Sequence, residues 1–147
     1  MAVKEHAVEV AALEPSAEVQ ALMRRFYEAV SRGDFGSVDR LVSRRAGMKW
    51  IGTDPTEWWE DFEAVANSWR TQAAEIGGPM RIAGGNATAY QNGDVAWVSD
   101  RPAFHLSDGR TLPFRFTVVW LREPEGWRIV QAHASFGVTN ETALRTA

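Results

Sequence analysis

Three turn signals cut the second half of the chain into near-even lengths, and this spacing constrains the fold more than any other feature. Gln91-Asn92-Gly93-Asp94, Ser107-Asp108-Gly109 and Glu123-Pro124-Glu125-Gly126 each bring an acid or amide close to a glycine. Hairpin loops favour such sequences because glycine takes left-handed backbone angles at no steric cost. The segments between them are rich in Val, Trp, Phe and Thr. The spacing therefore predicts four antiparallel strands, near Met80–Tyr90, Val95–Leu106, Thr111–Arg122 and Trp127–Val138.

The first half has a different period. After Ser16, a capping hydroxyl, Val19, Leu22, Met23, Phe26 and Val30 recur at helical spacing up to Gly33. Asp34 can cap a shorter helix carrying Phe35, Val38, Leu41 and Val42. Met48–Gly52 reads as a short strand, and Thr53-Asp54-Pro55-Thr56-Glu57 as a turn leading into a third helix. The stripe Trp58, Phe62, Val65 and Trp69 continues towards Ile76 before Gly77-Gly78-Pro79, which makes this helix the expected longest. Residues 1–15, His6 among them, read as a flexible extension, 16–138 as one domain and 139–147 as a tail. Helices first and a strand meander afterwards describe an α+β domain: a curved, mostly antiparallel sheet closing over three helices as a cone.

Composition narrows the chemistry. The chain of 147 residues has no cysteine, which excludes disulfides, thiolate nucleophiles and sulfur-ligated zinc. Its three histidines stand apart without carboxylates at ligand spacing, and there is no glycine-rich phosphate loop or nucleophile elbow. No metal or cofactor is expected. Nineteen acids against sixteen bases, with no basic run, give no footprint for nucleic acid. No segment reaches the ~18 apolar residues of a membrane span, and the charged start lacks the apolar stretch of a secretory leader, so the expectation is a cytoplasmic protein. Seven tryptophans are the unusual number, and they point to a hollow or an interface.

Local sequences agree with this order of elements. Phe26-Tyr27-Glu28-Ala29-Val30-Ser31-Arg32-Gly33-Asp34-Phe35, Ile51-Gly52-Thr53-Asp54-Pro55-Thr56-Glu57-Trp58-Trp59, Gly93-Asp94-Val95-Ala96-Trp97-Val98, Phe114-Arg115-Phe116-Thr117 and the run Gly126–Ser135 resemble the SnoaL-like branch of the nuclear transport factor 2-like superfamily. The resemblance spans roughly residues 16 to 138. It implies a ketosteroid-isomerase-like cone with a pocket between sheet and helices, but no single activity, because relatives include isomerases, cyclases, dehydratases, hydrolases and silent association domains. The steroid-isomerase residues are not in place: Phe26 stands at the tyrosine position, Trp50 at the base, and Thr117 or Val119 at the second acid.

The register implied by the resemblance points Trp97, Ser99, Arg101, Ala103 and His105 inward, then Pro113, Arg115, Thr117, Val119 and Leu121, then Ala132, Ala134 and Phe136. The catalytic candidates are accordingly Asp54 as base, Arg115 as anion stabiliser and His105 as acid or base at the mouth. The candidate ligand-binding residues are Trp50, Trp69, Trp97, Arg101, Thr117, Phe136 and Phe26, and two inward arginines would make the pocket anion-seeking. Glu57 fits the first turn of the long helix, where the dipole favours a carboxylate. The same register sends His133 outward and leaves Phe114, Phe116, Val118 and Trp120 on the convex face, where an apolar row implies a homodimer. Two functions follow as expectations: an isomerase, cyclase or hydrolase acting on a small anionic or enolizable apolar substrate, or a non-catalytic ligand-binding or association module. Burial of Asp54 with a raised pKa would support the first, and its exposure in a turn the second.

Overall fold

The computed structural model describes residues 12–145, so the extension expected over 1–15 lies, as far as residue 11, outside the described residues. The elements in order are β1 (Glu14–Pro15), α1 (Ala17–Arg32), α2 (Phe35–Asp39), β2 (Lys49–Ile51), β3 (Trp58–Trp59), α3 (Phe62–Ile76) and β4 (Arg81–Ala83). They continue with β5 (Thr88–Asn92), β6 (Val95–Asp100), β7 (Ala103–His105), β8 (Thr111–Pro113), β9 (Arg115–Glu123), β10 (Gly126–Ser135) and α4 (Asn140–Arg145). Seven strands make one sheet in the order β1-β5-β6-β9-β10-β2-β3, and β4, β7 and β8 form a smaller one.

The helix signals act as expected at the start of the chain. The Ser16 hydroxyl accepts from the Val19 N–H at 3.2 Å, and Gly33 closes α1 with φ of 70°. The third helix starts later than its stripe suggests. Trp58 and Trp59 lie in an edge strand on β2, and Asp61, whose side chain accepts from the Ala64 N–H at 2.8 Å, caps α3 instead. Helix α3 has 15 residues against 16 in α1, so it is not the longest, and Ile76 at its end is exposed.

Two of the four expected long strands are bent in the middle and a third is split. The β6–β7 break falls at Arg101-Pro102, where proline cannot donate to the ladder, and the β8–β9 break falls opposite it, with Phe114 N–H donating to the Pro102 carbonyl at 3.0 Å. The first strand divides at Gly84-Gly85. A Cβ at Gly85 would lie 2.3 Å from the Arg101 carbonyl oxygen, so only glycine admits this approach. The corner is pinned by buried Asp100, whose carboxylate accepts from the Tyr27 hydroxyl at 2.8 Å and from the backbone N–H groups of Gly85 and Arg101. Burial first, and the Asp100 acceptor second, push the Tyr27 phenol far above its ordinary range.

Sheet faces are settled by pairing, because residues directly opposite one another point to the same side. Trp50, Ala132 and Val118 are cross-strand partners, and Val118 pairs with Val98. All four are buried beneath the helices. Phe114, Phe116, Val118 and Trp120 therefore form the inner face, at 4, 4, 1 and 0% exposure, and not the convex dimer surface expected from the family register. The residues between them, Arg115, Thr117, Val119 and Leu121, face outward, as do Trp97 and Ser99. Inward Ala132 and Ala134 and outward His133 match the expectation. An apolar row goes where the helices can cover it, and the one-residue slip between the two registers inverts every side chain on the strand.

Candidate functional site

The inner face is filled unevenly. Around Trp120, Ile129, Val38, Met23 and Val30 the core is closed, each of these side chains being fully buried. Towards the bent ends of the strands the core opens into a pocket of about 150 Å3. Phe26, Trp50, Trp69, Phe104, Phe114 and Phe116 form its walls, with Trp59 and Phe136 also lining it.

The ring geometry explains why a hollow remains. Trp50 and Trp69 meet edge to face with centroids 5.6 Å apart at 90°, and Phe26 lies 5.8 and 5.9 Å from the two. Phe104 stacks on Phe114 at 4.1 Å on the other wall. Rigid plates locked in these contacts cannot turn to fill the space between them.

Polar groups in the lining come from the turn after β2 and from α3: Thr53, Glu57, Ser68 and Gln72. Glu57 reaches in because residue 52 is glycine. A Cβ there would lie 2.7–2.9 Å from the Glu57 side chain. The backbone of the turn is closed by the Gly52 N–H donating to the Glu57 carbonyl at 2.8 Å. Glu57 Oε1 accepts from the Asp54 N–H at 2.7 Å and Oε2 from Gln72 Nε2 at 3.0 Å. This places Glu57 in the turn before β3, not in the first turn of α3. Trp69, on α3 beside this group, has its indole N–H buried without an acceptor among the described residues.

Of the expected ligand-binding residues, Phe26, Trp50, Trp69 and Phe136 are in the pocket. Trp97, Arg101 and Thr117 are not. Trp97 stacks on Tyr90 on the outer face, and Arg101, Arg115 and Thr117 share an outer hollow with Ser99. The catalytic candidates are not brought together. Asp54 is exposed, its Oδ1 accepting from the Thr56 hydroxyl at 2.6 Å and the Thr56 N–H at 2.8 Å, and these bonds hold its carboxyl below the usual carboxylate range. It is a turn residue. His105 is exposed on β7, with Nδ1 3.4 Å from the Thr111 hydroxyl.

The residues missed, Phe104, Phe114, Phe116 and Gln72, had a signal in part: the unbroken alternation from Phe114 to Trp120. Among the described residues, Glu57 is the one ionisable side chain lining the pocket. An ionised carboxylate offers acceptors and no donor, and no cation stands beside it in the lining among the described residues. The two arginines expected to make the pocket anion-seeking are not in its lining. Among the described residues no group of His, Asp and Glu could hold a metal ion, and no helix is long and apolar enough to cross a membrane.

Comparison with known proteins agrees with this geometry at the level of the fold. An NTF2-like protein of unknown function from Pseudomonas putida KT2440 superposes with a TM-score of 0.76 at 20% identity, over 86% of this chain and 89% of the other. A candidate dehydratase of the NTF2-like family from Streptomyces avermitilis gives 0.71 at 20% identity, over 83% and 95%. A cystatin-like-fold protein of unknown function from Nostoc punctiforme PCC 73102 gives 0.70 at 12% identity, over 86% and 97%. No curated protein matches the chain. The family model for the SnoaL-like domain matches residues 19–139, from the first buried turn of α1 to just past the last strand that lines the pocket, and the chain belongs to that family.

Proposed function

We propose that this protein binds a compact, flat, uncharged molecule carrying a hydrogen-bond donor, as a phenol or an aromatic amide does. The observation that carries this reading is a lone carboxylate, Glu57, in a pocket otherwise lined by aromatic and aliphatic side chains and a few neutral polar groups. A space near 150 Å3 is roughly what a benzene-sized guest needs. The guest's ring would lie among Trp50, Trp69 and Phe116, and its donor would meet Glu57. The exposed turn position of Asp54 and the outward arginines favour binding over enolate chemistry, which needs a base and a stabilising donor set in one place.

Titrating phenol, benzamide and benzoate while following tryptophan fluorescence tests this. Phenol and benzamide should bind saturably and benzoate at least ten-fold more weakly. Glu57→Gln should remove that discrimination. Equal binding of benzoate, or no saturable response to any of the three, would overturn the reading.

The homodimer is retained as a proposal on different residues. Tyr90, Trp97, Val119 and Leu121 form a half-exposed apolar row on the outer sheet face, a surface for a second copy. Val119→Glu should then convert a dimer to a monomer in sedimentation velocity, and a monomeric wild type would refute it.

A further inference from the structure

We propose a second ligand site, for an oxyanion, on the outer face of the large sheet and separate from the aromatic pocket. Asp100 and Phe116 are cross-strand partners, so Arg101 and Arg115 flank the next rung of the same two strands and line one hollow of about 490 Å3. Neither guanidinium has a hydrogen bond or ion pair among the described residues, whereas Arg45, Arg70, Arg110 and Arg122 each have a carboxylate. Like charges facing across adjacent strands destabilise a sheet. An anion held between them reverses that term, because guanidinium forks match the paired oxygens of phosphate and carboxylate.

The neighbouring rung supplies the rest of the site. Thr88, Ser99, Thr117 and His133 are successive partners across four strands and all are exposed on this face. Thr88, Ser99 and Thr117, with Asn86 and the edge of Phe116, border the same hollow, the Thr88 hydroxyl donating to the Ser99 carbonyl at 3.5 Å. The Asp100 carboxylate also borders it. Its oxygens accept from the Tyr27 hydroxyl and the N–H groups of Gly85 and Arg101, so it is engaged by the corner and not directed at the arginines' ligand. Two fixed cations, the Ser99 and Thr117 hydroxyls and an amide are thus the donors set around a hollow whose remaining surface is largely apolar.

The test uses the full chain at constant ionic strength, titrated with inorganic phosphate and separately with acetate by calorimetry. Phosphate should bind saturably, and Arg101→Gln and Arg115→Gln should each lower its affinity ten-fold or more. Arg115→Lys, which keeps the charge and the fold but loses the fork, should lower it several-fold. Saturable acetate binding with the same mutational pattern assigns the site to carboxylates, and phosphate binding alone assigns it to phosphate groups. Phenol binding in the aromatic pocket should be unchanged in both glutamine variants, which separates this site from that one. The proposal is overturned if neither anion binds saturably, or if both bind the Arg101→Gln, Arg115→Gln double variant as they bind the wild type.

Discussion

The two ends of the sheet's inner face use the same kinds of side chain to opposite effect. At the base, Trp120 and Ile129 are wholly buried against Val38 and Met23, and the core is closed. At the bent end, Trp50 and Trp69 meet each other edge to face and meet Phe26 tilted or at its edge, Phe26 stacks on Phe116 only at 6.1 Å, and a hollow is left. Apolar content is therefore a poor guide to which end is solid. What separates the ends is how the rings are held, and that is set by the corner at Arg101-Pro102, which carries β7 and β8 away from the main sheet.

The largest test of this contrast is Trp120→Ala, which opens a cavity at the closed end and should cost about 3–5 kcal/mol in chemical denaturation. A loss no greater than that of a mouth substitution would break the comparison. Tyr27→Phe comes next. It removes a donor from buried Asp100 at the corner and should cost ~1.5–3 kcal/mol. This variant also carries a pH signature. Because the fold raises the Tyr27 pKa, its contribution is complete below the ordinary tyrosine value near 10 and declines as pH rises beyond it, where the unfolded chain ionises first. Wild-type stability should fall above about pH 10 more steeply than that of the phenylalanine variant.

Phe104→Ala, at the open end, should cost only about 1–2 kcal/mol because it widens an existing hollow, while phenol affinity drops. Smallest of all, Asp54→Ala should loosen the turn slightly and leave phenol affinity almost unchanged. A large loss of binding there would return Asp54 to the site.

Local chemistry made much of this legible in advance. Ser16, Gly33, Asp34 and the hairpin turns did locally what their side chains or φ angles dictate, and the order of elements then selected the fold. The side of the sheet was harder to read. Parity implied by the family resemblance placed Arg115 inside, although the alternation of Phe114, Phe116, Val118 and Trp120 alone assigns it outside. Glu57 was visible as a residue but not as a pocket group, because its position depends on a close approach to Gly52 that no periodicity records. The Arg101–Arg115 pair was likewise visible as two arginines, and only strand register makes them neighbours.

The sheet order has a consequence for how the molecule is made. Strand β2 is paired in parallel with β10, Trp50 lying opposite Ala132, and β1 is paired with β5, Pro15 lying opposite Tyr90. Both early strands thus wait for partners synthesised much later. As the chain leaves the ribosome, α1 and α3 emerge before most of the surface their apolar faces will cover, and the ladder that holds β2 forms only when β10 arrives. Such non-local closure slows folding and prolongs exposure of Met23, Phe26 and Val30 to wrong neighbours. The hairpins β5–β6, β7–β8 and β9–β10 each join strands adjacent in sequence, so their own ladders can close without waiting for a distant segment.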